Sequence, residues 1–140
     1  MRKVFADTGY WIALLNPKDD LHERAYAVSK QISPFFTITS EMVLTELFNM
    51  LAGKGEYLRI AAARLFETLS SAPNYEVVPQ TSIIFREAVQ FYKDRPDKDW
   101  GLTDCTSFLI MNRKGIIEAL TPDRHFAQAG FQALLMDSVI

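Results

Sequence analysis

A chain of 140 residues, 49% of them hydrophobic and with ten phenylalanines, can bury a sizeable core, which excludes a disordered protein. Its net charge of -2 excludes a global basic field, so any nucleic-acid binding must rest on local basic patches or on bound metal. The lone Cys105 excludes an internal disulfide framework, Asp7 interrupts what would be a signal peptide's apolar core, and no run approaches the roughly 20 apolar residues of a membrane helix; the expectation is a single domain over residues 1–140, soluble and cytoplasmic.

In chain order, residues 3–6 are a short apolar run stopped by Asp7-Thr8-Gly9, which reads as a buried parallel strand with Asp7 at its carboxyl end. Residues 10–15 predict a short helix closed by Asn16-Pro17. Leu21, Ala25, Val28 and Ile32 recur at helical spacing and predict a helix over 21–32, broken by Ser33-Pro34. A second strand follows at 35–38. Thr39-Ser40-Glu41 then opens a helix with capping chemistry and an acid in its first turn. On its wheel Val43, Leu44, Leu47, Phe48, Met50 and Leu51 form one apolar arc, and Glu46 falls on the edge of that arc with Asn49 one turn on.

Gly53-Lys54-Gly55 ends that helix, and Leu58, Ala61, Ala62, Leu65 and Leu69 predict the next, over 58–69, as the second arm of a helical hairpin. A third strand at 75–78, an amphipathic helix at 83–92 and a charged loop at 93–99 come next. The stretch from Asp99 to Phe108 reads as a loop ending in a helix start, with Thr103 as N-cap, Asp104 in the first turn and a stop at Arg113-Lys114-Gly115. A fourth strand at 116–120 is ended by Thr121-Pro122-Asp123, and a short helix at 124–129 and a strand at 133–136 complete the chain. Strands alternating with helices, without a hairpin signal, define an α/β fold with a mainly parallel five-stranded sheet.

Four acids stand at junctions of this pattern. Asp7 and Asp123 each follow a strand, on the edge where open α/β sheets bind ligands, and Asp104 and Glu46 lie on helices that can lean over the same edge. Taken singly, each has a simpler reading: a cap for Asp7, a dipole partner for Asp104, a turn acid for Asp123, a rim residue for Glu46. Together, carboxylates so placed raise one another's pKa, and Mg²⁺ or Mn²⁺ resolves the repulsion. Such an ion keeps water, which supplies a nucleophile near neutral pH, and a pair about 3.5–4 Å apart can stabilise both oxygens of a phosphodiester displacement.

Other candidates weaken. Cys105 sits near a helix N-terminus but has no neighbouring histidine, so it reads as a packing residue. His22 and His125 lack metal-ligand spacing and read as ordinary. Gly53-Lys54-Gly55 is no phosphate loop, and Trp100 reads as a hydrophobic anchor. A receiver domain would need paired acids after the first strand and a Lys after the last, where Met136-Asp137 stands; a phosphatase of the Asp-x-Asp type would need a second acid in Asp7-Thr8-Gly9.

Phe5-Ala6-Asp7-Thr8, Thr45-Glu46-Leu47, Leu102-Thr103-Asp104-Cys105 with Ser107-Phe108, and Leu120-Thr121-Pro122-Asp123-Arg124-His125-Phe126 resemble, as an ordered set over nearly the whole chain, the PIN-domain family. Within that family they are similar to the compact VapC-like toxins of type II toxin–antitoxin pairs. The resemblance implies a three-layer α/β/α sandwich and a Mg²⁺- or Mn²⁺-dependent endoribonuclease that leaves a 5′-phosphate and a 3′-hydroxyl. Asp7, Glu46, Asp104 and Asp123 match the acidic quartet that holds metal, Thr8 and Thr121 match supporting hydroxyls, and Asp99 stands where some members carry a fifth acid. It further implies a homodimer, an RNA substrate and a small antitoxin that inserts into the active-site groove; the missing net positive charge is tolerable if Lys54, Arg59, Arg64, Arg113 and Arg124 line that groove, although most of them read as ordinary solvated charges. The alternatives are a PIN-type nuclease of RNA processing or of structured DNA, and a non-catalytic RNA- or protein-binding module.

Overall fold

The computed structural model describes residues 1–136. Its elements are β1 (Arg2–Ala6), α1 (Thr8–Leu15), α2 (His22–Ile32), β2 (Phe35–Ser40), α3 (Glu41–Leu51), α4 (Glu56–Ser71), β3 (Tyr75–Val78), α5 (Ser82–Asp94), α6 (Leu102–Lys114), β4 (Glu118–Leu120), α7 (Arg124–Gln128) and β5 (Gln132–Ala133). The strands form one sheet in the order β3-β2-β1-β4-β5, and every pairing is parallel. Phe5 pairs with both Ile38 of β2 and Ala119 of β4, so β1 is the central strand.

Successive strand residues point to opposite faces, yet Val4, Phe5 and Ala6 are all fully buried. Both faces of β1 are therefore covered, as a parallel sheet between helices requires. Right-handed crossovers place the β1-to-β3 connections on one face and the β3-to-β5 connections on the other. α1 packs with α2, α3 and α4, and α6 packs with α5 and α7, while α3 also meets α6. This is the parallel α/β sheet that the alternating pattern predicted, in the three-layer α/β/α arrangement that the resemblance implied.

Several boundaries differ from expectation for local reasons. The capping residue of α6 is Gly101, not Thr103, because the Asp104 carboxylate reaches back to accept the Gly101 N–H at 3.1 Å, and the helix starts at Leu102. Strand β4 begins at Glu118 rather than 116, because α6 closes through Gly115 in the left-handed region (φ 66°) and the Ile116 N–H is spent on Met111 O. Strand β5 is Gln132–Ala133, earlier than the expected 133–136. Its partner offers only Glu118 and Ala119, after which the chain turns to bury Leu135. On α3, Phe48 and Met50 are exposed, and the buried arc narrows to Val43, Leu44, Leu47 and Leu51. Asp137 lies outside the described residues. Among the described residues no helix is long and apolar enough to cross a membrane.

Candidate active site

The chain runs outward from β1 through β2 to β3, then returns to β4 on the other side of β1. The carboxyl ends of β1 and β4 are thus adjacent while their connections leave in opposite directions, which opens a crevice there. Ala6 pairs with Leu120, and the Asp7 N–H continues the ladder to Leu120 O at 3.2 Å. Asp7 and Thr121-Pro122-Asp123 consequently emerge side by side. A side chain at Gly9 would meet the Pro122 ring at 3.1 Å, so glycine lets the first turn of α1 sit against the β4 exit.

Asp7 occupies the N-cap position of α1 without a side-chain capping bond and is buried, with 7% of its surface exposed. Burial pushes its carboxyl up to about 7, and the nearby charges of Asp104 and Glu46 push in the same direction; the Thr8 backbone N–H and the Thr121 hydroxyl offset part of this. Thr121, fully buried, joins two acids. Its Oγ1 donates to Asp7 Oδ2 at 3.1 Å and accepts the Asp123 N–H at 3.1 Å.

Asp104 and Asp123 are brought together by aromatic packing. Phe108, one turn after Asp104 on α6, is 5.0 Å from Trp100, 5.0 Å from Phe126 and 5.6 Å from Phe131 between ring centroids. That cluster pins the loop before α6, the body of α6 and the short α7 to one another. Asp123 caps α7 by accepting the His125 N–H at 2.9 Å, which sets the imidazole on the first turn. The His125 Nδ1 then lies 2.9 Å from Asp104 Oδ2 and 3.5 Å from Asp123 Oδ1. Burial raises the Asp104 carboxyl above its ordinary range and the charge of Asp123 adds to this; the contacts from His125 and the Gly101 N–H oppose it.

His125 is the residue that sequence reading passed over. A search for paired histidines looks for a ligand repeat within one helix. Here the usable signal is Asp123-x-His125 at a helix start, and the second acid comes from another helix.

Glu46 stands on α3 at the edge of an open groove of about 350 Å³ that Met42, Thr45, Asn49, Met50 and Thr103 also line. Its charge reaches Asp7. Asp99 is exposed and lines a separate hollow with Arg95, Lys98 and Trp100. Trp100 is a buried anchor, its Nε1 donating to Gln128 Oε1 at 3.1 Å. Cys105 is buried too; burial, with the charge of Asp104, pushes its thiol up to about 11, which makes it inert at neutral pH. His22 meets Tyr26 edge to face with its Nδ1 2.7 Å from Ala13 O, a structural arrangement. Two of the cations read as ordinary solvated charges are engaged away from the crevice: Arg113 is at the far end of α6 and pairs with Glu87, and Arg59 donates to Ala52 O. Arg124 is exposed between Asp123 and His125.

The donor set fits a hard divalent cation. One ligand atom each from Asp104, Asp123 and His125 lie within 4.8 Å of one another, and the charges of Asp104 and Glu46 both reach the buried Asp7. The Thr8 hydroxyl, next to Asp7 in the chain, is buried with no partner among the described residues.

The all-parallel sheet, with acids near the switch point between β1 and β4, is an open α/β architecture of the kind that binds ligands at that edge. A PIN-domain profile matches residues 4–132, and the chain belongs to the PIN-domain family. Over 129 residues, covering 91% of this chain and 95% of the relative, it is 32% identical to the 23S rRNA-specific endonuclease VapC20 of Mycobacterium tuberculosis, in strains CDC 1551 and H37Rv. The crystal structure of M. tuberculosis VapC20, a sarcin–ricin loop cleaving toxin, superposes with a TM-score of 0.80 at 27% identity over 91% of this chain and 95% of that one.

Proposed function

We propose that this chain is a metal-dependent endoribonuclease of the VapC type, hydrolysing RNA phosphodiester bonds as the toxin of a toxin–antitoxin pair. The observation that carries the reading is the gathering of Asp7, Glu46, Asp104 and Asp123 around the β1–β4 crevice. Likeness over nine-tenths of the chain to an endonuclease named for its action on 23S rRNA supports RNA as the substrate.

In this reading the four acids hold Mg²⁺ or Mn²⁺. An ion held there would supply charge neutralisation for the scissile phosphate and a water made acidic enough to attack, chemistry whose products would be a 5′-phosphate and a 3′-hydroxyl. The protein's own part is positioning. Thr121 holds Asp7 and Asp123 in register across two strands, and the Gly101 N–H and His125 fix the Asp104 carboxylate. The Phe108 cluster keeps the α6 and α7 ligands at a constant separation. Asp99, exposed and lining a separate hollow with Arg95, Lys98 and Trp100, is left out of the ion-holding set. A homodimer, a small antitoxin bound in the active-site groove and a cytoplasmic location complete the proposal.

The test is incubation of antitoxin-free protein with total RNA, including ribosomal RNA, in Mn²⁺ or Mg²⁺ and in EDTA, with the new 5′ ends mapped. Discrete cuts bearing 5′-phosphates, lost in EDTA, are expected. Intact RNA after incubation with folded protein would contradict the reading.

A further inference from the structure

His125 differs from His22 in what its Nδ1 faces. The His22 nitrogen meets a backbone carbonyl; the His125 nitrogen meets two carboxylates from different helices, at 2.9 and 3.5 Å. Its backbone is fixed by the Asp123 cap and its neighbour Phe126 is fully buried, so the ring is aimed before any ligand arrives. Two donors bound side by side on an octahedral ion, with bonds of about 2.1 Å, lie about 3.0 Å apart. The contact between Nδ1 and Asp104 Oδ2 has that length, and Asp123 closes the third corner of the set.

We propose that His125 is itself a ligand of the divalent ion, through Nδ1, beside Asp104 and Asp123, and that this nitrogen makes the site prefer Mn²⁺ to Mg²⁺. The inference rests on the metal-site reading above and goes beyond its acidic quartet. Mg²⁺ favours oxygen donors and retained water, whereas imidazole suits the first-row transition ions. Nδ1 and Asp104 Oδ2 stand at hydrogen-bond distance, and an ion bound between them would replace that contact. Neither His22 nor Cys105 offers a competing soft donor at this edge, since one lies against α1 and the other is buried with its thiol protonated.

The experiment is electron spin-echo spectroscopy of the full chain loaded with one equivalent of Mn²⁺. Modulation from a directly bound ¹⁴N is expected. It should convert to the ¹⁵N pattern in protein labelled at its two histidines, persist in His22→Ala and vanish in His125→Ala. Calorimetric titration of His125→Ala should show Mn²⁺ affinity reduced by roughly 10–100-fold, with Mg²⁺ affinity changed by less than about 3-fold. Mn²⁺ bound without nitrogen coupling in the wild-type chain would overturn the proposal, whether or not the variant folds. Coupling retained in His125→Ala, or equal losses for both ions, would do the same. If that all-oxygen Mn²⁺ were lost in Asp104→Asn, the acidic metal site would stand without His125. A wild-type chain binding neither ion would remove both readings together.

Discussion

The Thr121 hydroxyl donates a 3.1 Å hydrogen bond to Asp7 Oδ2 across 114 positions of sequence. One buried side chain thereby ties the end of β4 to the end of β1, and its oxygen also accepts the Asp123 N–H. Thr121→Val keeps the shape and removes both bonds, leaving the Asp123 N–H without that partner. The expected cost is about 1–3 kcal/mol by chemical denaturation. RNA cleavage should fall with it, and the loss should persist at temperatures where the variant is fully folded. Wild-type cleavage by folded Thr121→Val would show that the bond serves stability alone.

Asp7 gives the fold a pH dependence of defined sign. Its carboxyl stands at about 7, raised from an ordinary 3.8, so between those values the folded chain binds more protons than the unfolded one. In EDTA, stability is therefore greatest at the acid end of that window and falls as pH rises from about 4 to about 7. The shift corresponds to about 4 kcal/mol as an upper bound. Asp104, shifted in the same direction, adds to the slope. Asp7→Asn should flatten the profile and raise the melting temperature at pH 8 in EDTA, while Mn²⁺ should stabilise the wild type and not the variant. A wild-type profile that rises toward pH 8 in EDTA would contradict the burial argument.

Phe108 couples the core to the site. Phe108→Ala removes the ring that contacts Trp100, Phe126 and Phe131. The expected cost is about 3–5 kcal/mol, read by denaturant titration. Because α6 and α7 carry the two converging carboxylates and His125, divalent-ion affinity should fall even where the variant is folded. Phe108→Leu should recover most of the stability and only part of the affinity.

Much of this was legible in the residues. The alternation of short apolar runs with 3.6-period helices read out the parallel α/β sheet, and all twelve elements fall where the pattern placed them, to within a few residues. The positions of the three acids at strand ends and at the α6 start are legible because capping chemistry and strand ends are local. What escaped was non-local. Nothing around His125 discloses that Asp104 will stand 2.9 Å away, since that contact depends on the Phe108–Phe126 packing. Phe48 and Met50 were counted into the apolar arc because a wheel cannot tell a core from an uncovered face. Thr103 looked like a cap until Asp104 was seen to supply the capping bond itself.

The most direct measurement of the central claim is single-turnover cleavage of RNA in Mn²⁺ by Asp104→Asn beside the wild type, with melting curves for both. Loss of a metal ligand should lower the cleavage rate by at least about 10²-fold, with a melting temperature in EDTA equal to or above that of the wild type. Cleavage at the wild-type rate by folded Asp104→Asn would contradict the assignment of the β1–β4 crevice as the catalytic centre.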